Sequence, residues 1–204
     1  MRVSMKLFVG IKKWGYMMIK AVLDACVLYC APLRGLLLNL GSHELIKPHW
    51  SEEIQNEWSR SLLRNRRDMT HEDIERTRRR MNAYFPDGLV RGYESIIPTL
   101  QLPDPDDRHV LAVAIHAEAE CIVTFNLKHF PKSALLPFGI AALSPDKFVS
   151  RLIQENPIRV LETVEYHRLS LKKPLKTVDE YLATLEKQGL PKTVAFLREH
   201  NDNI

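Results

Sequence analysis

The chain has 204 residues, 45% of them apolar, with 29 Lys and Arg against 25 Asp and Glu for a net charge of +4. That length suits one domain of ordinary size with a small appendage, and the apolar fraction is that of a globular protein. No apolar run approaches the ~20 residues needed to cross a bilayer, which excludes a membrane-spanning helix.

The opening MRVSMKLFVGIKKWGYMMIK is cationic, but its apolar stretch Leu7–Ile11 is too short for a secretory core and runs into Lys12 and Lys13. Residues 1–18 read as an N-terminal extension, with Met17 or Met18 as an alternative start, and the chain reads as cytoplasmic. Ala21–Asp24 has the apolar neighbours of a parallel central strand. Pro32 opens an apolar helix, LRGLLLNL, that ends at Gly41. A short strand, LIKPHW, leads to Ser51, an N-cap with Glu52 and Glu53 in the first helical turn behind it. Thr70 caps a second helix that carries an arginine cluster to about Tyr84, and GLVRGY reads as an edge strand. In PDPDDRHVLAVAIHAEAE, Asp104 stands at an N-cap and Pro105 at the first helical position. CIVTFN is a buried strand, and FPKSALLPFGIAAL holds a short turn or helix and the last strand. Strands alternating with helices predict an open α/β parallel sheet covered by helices on both faces. After Pro145 four short helices are expected, separated by Pro and Gly. The predicted division is therefore 1–18, an α/β domain over 19–145 and a helical annex over 146–204.

Asp24 is the first residue that demands a function. It is a carboxylate at the end of a buried strand, and such groups are paired, neutralised or bound to a metal. In open α/β sheets ligands bind beyond the carboxyl ends of the strands, so its place suits a site, although a helix cap is the plain alternative. Asp106 and Asp107 share the first turn of their helix. Taking His109, His116 and Glu120 as its polar face puts Asp107 about 160° away from His109, so Asp107 faces inward with Leu111 and Ala114. Asp104 is explained as a cap, with a supporting role open to it. Glu57 borders the stripe of Ile54, Trp58 and Leu62; alone it reads as a surface partner of Arg60 or Ser61.

Cys26, Cys30 and Cys121 have no zinc-ligand spacing and read as reduced thiols, Cys26 as a structural thiol before a nucleophile. His49, His109 and His129 likewise lack metal-ligand spacing and read as structural or surface groups. Between residues 60 and 91 the cations are all arginines, which suit phosphate but equally suit a solvated face paired with Glu52, Glu53, Glu72 and Glu75.

Four stretches in order, "AVLDACVLY", "PHWSEEIQNEW", "DPDDRHVLAVAI" and "IVTFNLKHFP", resemble motifs of PIN-domain proteins, in particular the VapC-type ribonuclease toxins of bacterial toxin–antitoxin modules. "YLATLEKQGLPKTVAFLRE" resembles the C-terminal extension of one VapC subgroup. The resemblance implies a PIN-like fold and hydrolysis of RNA phosphodiesters with Mg²⁺ or Mn²⁺ held by an acidic cluster. Carried over by position, the cluster is Asp24, Glu57 (directly or through water) and Asp107, with Asp104 supporting it. Asn126 stands where many members have a fourth acid, which puts a second tightly bound ion in question. The resemblance also implies a cognate antitoxin and a homodimer. With RNA as substrate, Arg60, Arg64, Arg76, Arg79 and Arg80 become expected backbone contacts. The competing reading is a catalytically inactive RNA-binding or regulatory module of the same fold. An aspartyl-phosphate phosphatase is disfavoured because Asp24-Ala25-Cys26 lacks a second Asp two residues on.

Overall fold

The structure is a computed structural model that describes residues 18–171 and 174–204. The expected N-terminal extension lies outside the described residues except for Met18. Five parallel strands, β1 (Ile19–Leu23), β2 (Ile46–Ser51), β3 (Leu89–Val90), β4 (Cys121–Val123) and β5 (Ala141–Leu143), form one sheet in the order β3-β2-β1-β4-β5. β1 is central and, Lys20 apart, its residues are apolar and buried, as cover by helices on two sides requires. The strand order reverses between β1 and β4, and a crevice at the carboxyl ends follows from helices leaving those two strands in opposite directions.

Six helices connect or flank these strands: α1 (Ala25–Tyr29), α2 (Ala31–Ser42), α3 (Glu52–Asn65), α4 (His71–Tyr84), α5 (Arg108–His116) and α6 (Lys132–Leu135). Helix α3 starts where its sequence says it should. Ser51 Oγ accepts from Ile54 N at 3.2 Å, Glu52 and Glu53 occupy the positive end of the helix dipole, and Ile54, Trp58 and Leu62 bury one stripe. Thr70 and Asp73 close a capping box at the start of α4.

The annex forms the four expected helices, α7 (Pro145–Glu155), α8 (Pro157–Ser170), α9 (Val178–Lys187) and α10 (Pro191–Glu199). It is fastened to the α/β layer rather than hung from it. Helix α8 packs on α2 so closely that a Cβ added to Gly35 would lie 2.7 Å from His167 Nε2. The same imidazole meets the Tyr181 hydroxyl of α9 at 2.9 Å through Nδ1. Asp146 on α7 accepts from the backbone N–H groups of Lys192 and Thr193 and from the Thr193 hydroxyl, capping α10. Gly189, at φ +80°, ends α9 and sets its Cα face against the Phe125 ring in the loop after β4. No helix among the described residues is long and apolar enough to cross a membrane.

Candidate metal centre and nucleic-acid cleft

Asp24 follows the last residue of β1, and Thr124 follows the last residue of β4. Leu23 and Val123 are register partners, so the two side chains emerge together at the switch point. Asp24 is 3% exposed, yet its carboxylate is well provided for. Oδ1 accepts from Ala25 N at 2.6 Å, and Oδ2 accepts from Thr124 Oγ1 at 2.6 Å and from Cys26 Sγ at 3.1 Å. The cap role and the site role therefore coexist: one oxygen caps α1, and the other belongs to the polar cluster. Thr124 Oγ1 in turn accepts from Asn126 N at 2.9 Å, so the hydroxyl ties the loop carrying Asn126 to the acid.

Glu57 lies on the second turn of α3, beside buried Trp58, whose indole is covered by the Arg34 guanidinium at 4.9 Å. Its partner is His109 rather than Arg60 or Ser61, with Oε1 and Nε2 3.0 Å apart. His109 does not occupy a polar helix face. It is 3% exposed, wedged between Glu57 and the more distant Glu53, whose Oε2 is 3.6 Å from Nδ1. Burial works against the charged imidazole, but the Glu57 hydrogen bond and the charges of Glu57, Glu53 and Asp24 together outweigh it and hold the His109 pKa above the ordinary value. Periodicity missed this because an inward-facing His with two acids opposite it has the same spacing as a solvated one.

Asp107 ends a 3₁₀ turn, Pro105–Asp107, immediately before α5, and Asp104 caps that turn by accepting from Asp106 N. Asp106 is exposed and Asp107 half-buried, but the helix-face reading does not account for it: Asp107 lies in the 3₁₀ turn before α5, and His109, taken there as the polar face, is itself buried. Burial raises the Asp107 pKa; the His129 hydrogen bond opposes that rise, and the charges of Asp24 and Asp104 add to it.

Asp24, Glu57, Asp107 and Asn126 line one open cleft of about 640 Å³, and Arg60 and Arg64 line it as well. The other three arginines lie elsewhere. Arg76 pairs with Asp73 at 3.0 Å, Arg79 is exposed on α4, and Arg80 borders a separate depression with Tyr84 and Phe85. Arg78 is tied to Glu52 and Glu75, so part of the cluster is internally neutralised, as a solvated helix face would be. Cys26 also lines the cleft, but burial and the neighbouring Asp24 charge push its thiol up to about 12, so the thiolate a nucleophile needs is not populated.

His129, expected from the sequence as a structural or surface group, stands against two of the acids. It closes the 3₁₀ turn Leu127–His129 after β4, with Nδ1 2.5 Å from Asp107 Oδ2 and 3.6 Å from Asp104 Oδ2. Asp104, Asp107 and His129 have ligand atoms all within 4.8 Å of one another. A spacing of 104, 107 and 129 carries no local motif; the fold alone unites them.

Residues 20–128 match the family model described as PIN domain, more than half of the chain. The chain belongs to the PIN-domain family. Residues 145–199 match a second model, the VapC50 C-terminal domain, so the annex is that domain's counterpart and this PIN domain has the architecture of VapC-type proteins with a C-terminal extension. Over 68 residues the chain is 48% identical to "Putative ribonuclease VapC50" of Mycobacterium tuberculosis (strain ATCC 25618 / H37Rv), a stretch covering 31% of this chain and 40% of that protein. The aligned part is thus less than half of the relative's length. No solved structure matches the chain significantly.

The donor set of this PIN domain fits a divalent cation. Asp24, Glu57 and Asp107 come from three separate elements to one cleft, each with acceptor capacity left over beside its protein donor; as a trio they do not close to ligand distance, and among the described residues Asp104, Asp107 and His129 do. Mg²⁺ and Mn²⁺ are held by a few such carboxylates with water completing the shell.

Proposed function

We propose that the protein is a divalent-metal-dependent endoribonuclease and the toxin of a toxin–antitoxin pair, with residues 19–145 as its nuclease domain and 146–204 as a helical extension. The observation that carries this reading is the convergence of Asp24, Glu57 and Asp107 on one cleft at the sheet's switch point, with Arg60 and Arg64 beside them. Three carboxylates facing a phosphodiester repel it, and a divalent cation between them and the substrate would relieve that repulsion. When bound, Mg²⁺ or Mn²⁺ there polarises the scissile phosphate and lowers the pKa of an attacking water.

The chain's own groups have separate duties. Thr124 and the Ala25 N–H hold the Asp24 carboxylate in one orientation, and His109 does the same for Glu57. Asn126 supplies an uncharged amide to the cleft, suited to orienting water or a phosphate oxygen. Arg60 and Arg64 hold the RNA backbone on the outer side of α3. The attacking group is water, since the cleft's thiol is protonated and no covalent intermediate is needed. PIN-domain membership together with the VapC50-type annex supports an adjacent antitoxin protein that blocks the cleft, a homodimer and a cytoplasmic setting.

The experiment is RNA cleavage by purified protein with Mg²⁺ or Mn²⁺. Cleavage that stops with excess chelator and is lost in Asp24→Ala and Asp107→Ala supports the reading. Cleavage that persists in chelator, or in both variants, overturns it. Asn126 favours a second reading, a non-catalytic RNA-binding module; salt-sensitive RNA binding without cleavage in either metal would decide for that one.

A further inference from the structure

We infer that Asp104, Asp107 and His129 form a cation subsite beside the cleft that prefers a borderline transition-metal ion, Mn²⁺ or Co²⁺, to Mg²⁺. The inference rests on the metal-dependent reading above and specifies which ion class the site takes and through which atoms. Two backbone segments, distant in sequence, deliver the ligands: the 3₁₀ turn that Asp104 caps and Asp107 ends, and the turn after β4 that His129 closes. Their donor atoms fall within 4.8 Å of one another, close enough to contact one ion together.

The imidazole is already aimed. His129 Nδ1 faces both carboxylates, at 2.5 Å from Asp107 and 3.6 Å from Asp104. Its turn is held from behind by the His129 N–H to the Asn126 carbonyl, 2.9 Å, and by Phe130, which is buried. His129 Nδ1 and Asp107 Oδ2 are hydrogen-bonded to each other; an ion in the cluster would take the Nδ1 lone pair of the neutral imidazole, with the ring's proton carried on Nε2. All three side chains remain partly open to solvent, so entry needs no rearrangement of the core.

Chemistry then decides the ion. Mg²⁺ is served by oxygen and water, whereas an imidazole adds affinity for transition ions in the order Mn²⁺ below Co²⁺. Asp107 also lines the nuclease cleft, so the subsite adjoins the acids rather than standing apart from them. A carboxylate at position 129 would remove the discrimination and leave an all-oxygen set.

The test compares Mg²⁺, Mn²⁺ and Co²⁺ binding by calorimetry to the full-length wild type, His129→Asn and His129→Asp. Pulsed electron paramagnetic resonance of the Mn²⁺ forms with ¹⁵N-histidine is recorded in parallel. The wild type is expected to bind Co²⁺ at least tenfold more tightly than Mg²⁺ and to show a ¹⁵N coupling to Mn²⁺. His129→Asn should lose the coupling and most of the Co²⁺ preference, and His129→Asp should lose both while keeping Mg²⁺. A Co²⁺-to-Mg²⁺ ratio unchanged in His129→Asn, or a wild type without nitrogen coupling, overturns the subsite. If RNA cleavage with Mg²⁺ stays intact in that case, the nuclease reading survives. Failure of the wild type to bind any of the three ions overturns both.

Discussion

Thr124 Oγ1 donates to Asp24 Oδ2 at 2.6 Å across the two central strand ends, both residues buried. This bond fixes the first acid of the cleft and, through the Asn126 N–H that Thr124 accepts, the loop beside it. A hydrogen bond to a buried charge contributes about 1.5–3 kcal/mol. Thr124→Val should therefore lower unfolding stability by about that amount, measured by urea melts without divalent ions. Thr124→Ser, which keeps the donor, should recover most of it. Loss of RNA cleavage should follow the same order, with Val well below Ser.

Ion binding by the acids should appear as stability. A ligand present at 100 times its Kd stabilises the native state by about 2.7 kcal/mol, so millimolar Mn²⁺ should raise the melting temperature of the wild type. Asp24→Asn and Asp107→Asn should abolish that rise. Glu57→Gln, which preserves a hydrogen-bonding group for His109, should keep part of it. Differential scanning fluorimetry with and without Mn²⁺ separates the three, and an equal rise in all variants would mean that the ion binds elsewhere.

Much of this arrangement is legible in the sequence, for a physical reason. Strand–helix alternation, Ser51, Thr70 and Pro105 at helix starts, and Pro- and Gly-bounded helices after residue 145 are local signals, and the elements form where those signals fall. Asp24 stood out because a charge at the end of an apolar strand needs a partner; Asp107 was picked by helical spacing reckoned from His109, a reference that fails because His109 is buried and Asp107 precedes the helix. His109 and His129 were not legible. Each depends on an acid from another element, Glu57 52 residues away and Asp107 22 residues away, and no periodicity encodes such a pairing. The arginines were half legible: their number suggested phosphate, but only the fold separates Arg60 and Arg64 in the cleft from Arg76 and Arg78 in internal ion pairs.

That separation can be measured. Each cation that neutralises a phosphate of single-stranded RNA steepens the dependence of log K on log salt by about 0.7. Arg60→Ala and Arg64→Ala should each weaken RNA binding and flatten the slope by about that much, measured with catalytically dead protein in a fluorescence anisotropy titration. Arg76→Ala should leave affinity and slope unchanged. Arg78→Ala should lower stability, since its side chain is only 12% exposed and links Glu52 to Glu75, while leaving the slope as it was.

His167 should make the junction between annex and α/β layer sensitive to acid. It is 3% exposed, accepts or donates one hydrogen bond with Tyr181, and burial lowers its pKa from 6.5 to about 4. The folded state thus resists protonation that the unfolded chain accepts. Between those two values the unfolded state binds more protons, so stability rises with pH; it is fully present above 6.5 and is lost as pH falls toward 4. From pH 7 to pH 5 the loss from this one group is about 2 kcal/mol. His167→Gln, which can still meet the Tyr181 hydroxyl but carries no proton to gain, should be less stable than wild type at pH 7 and lose distinctly less between pH 7 and pH 5. Parallel urea melts at the two pH values give the comparison, and equal pH sensitivity in both proteins would assign the acid response to other groups.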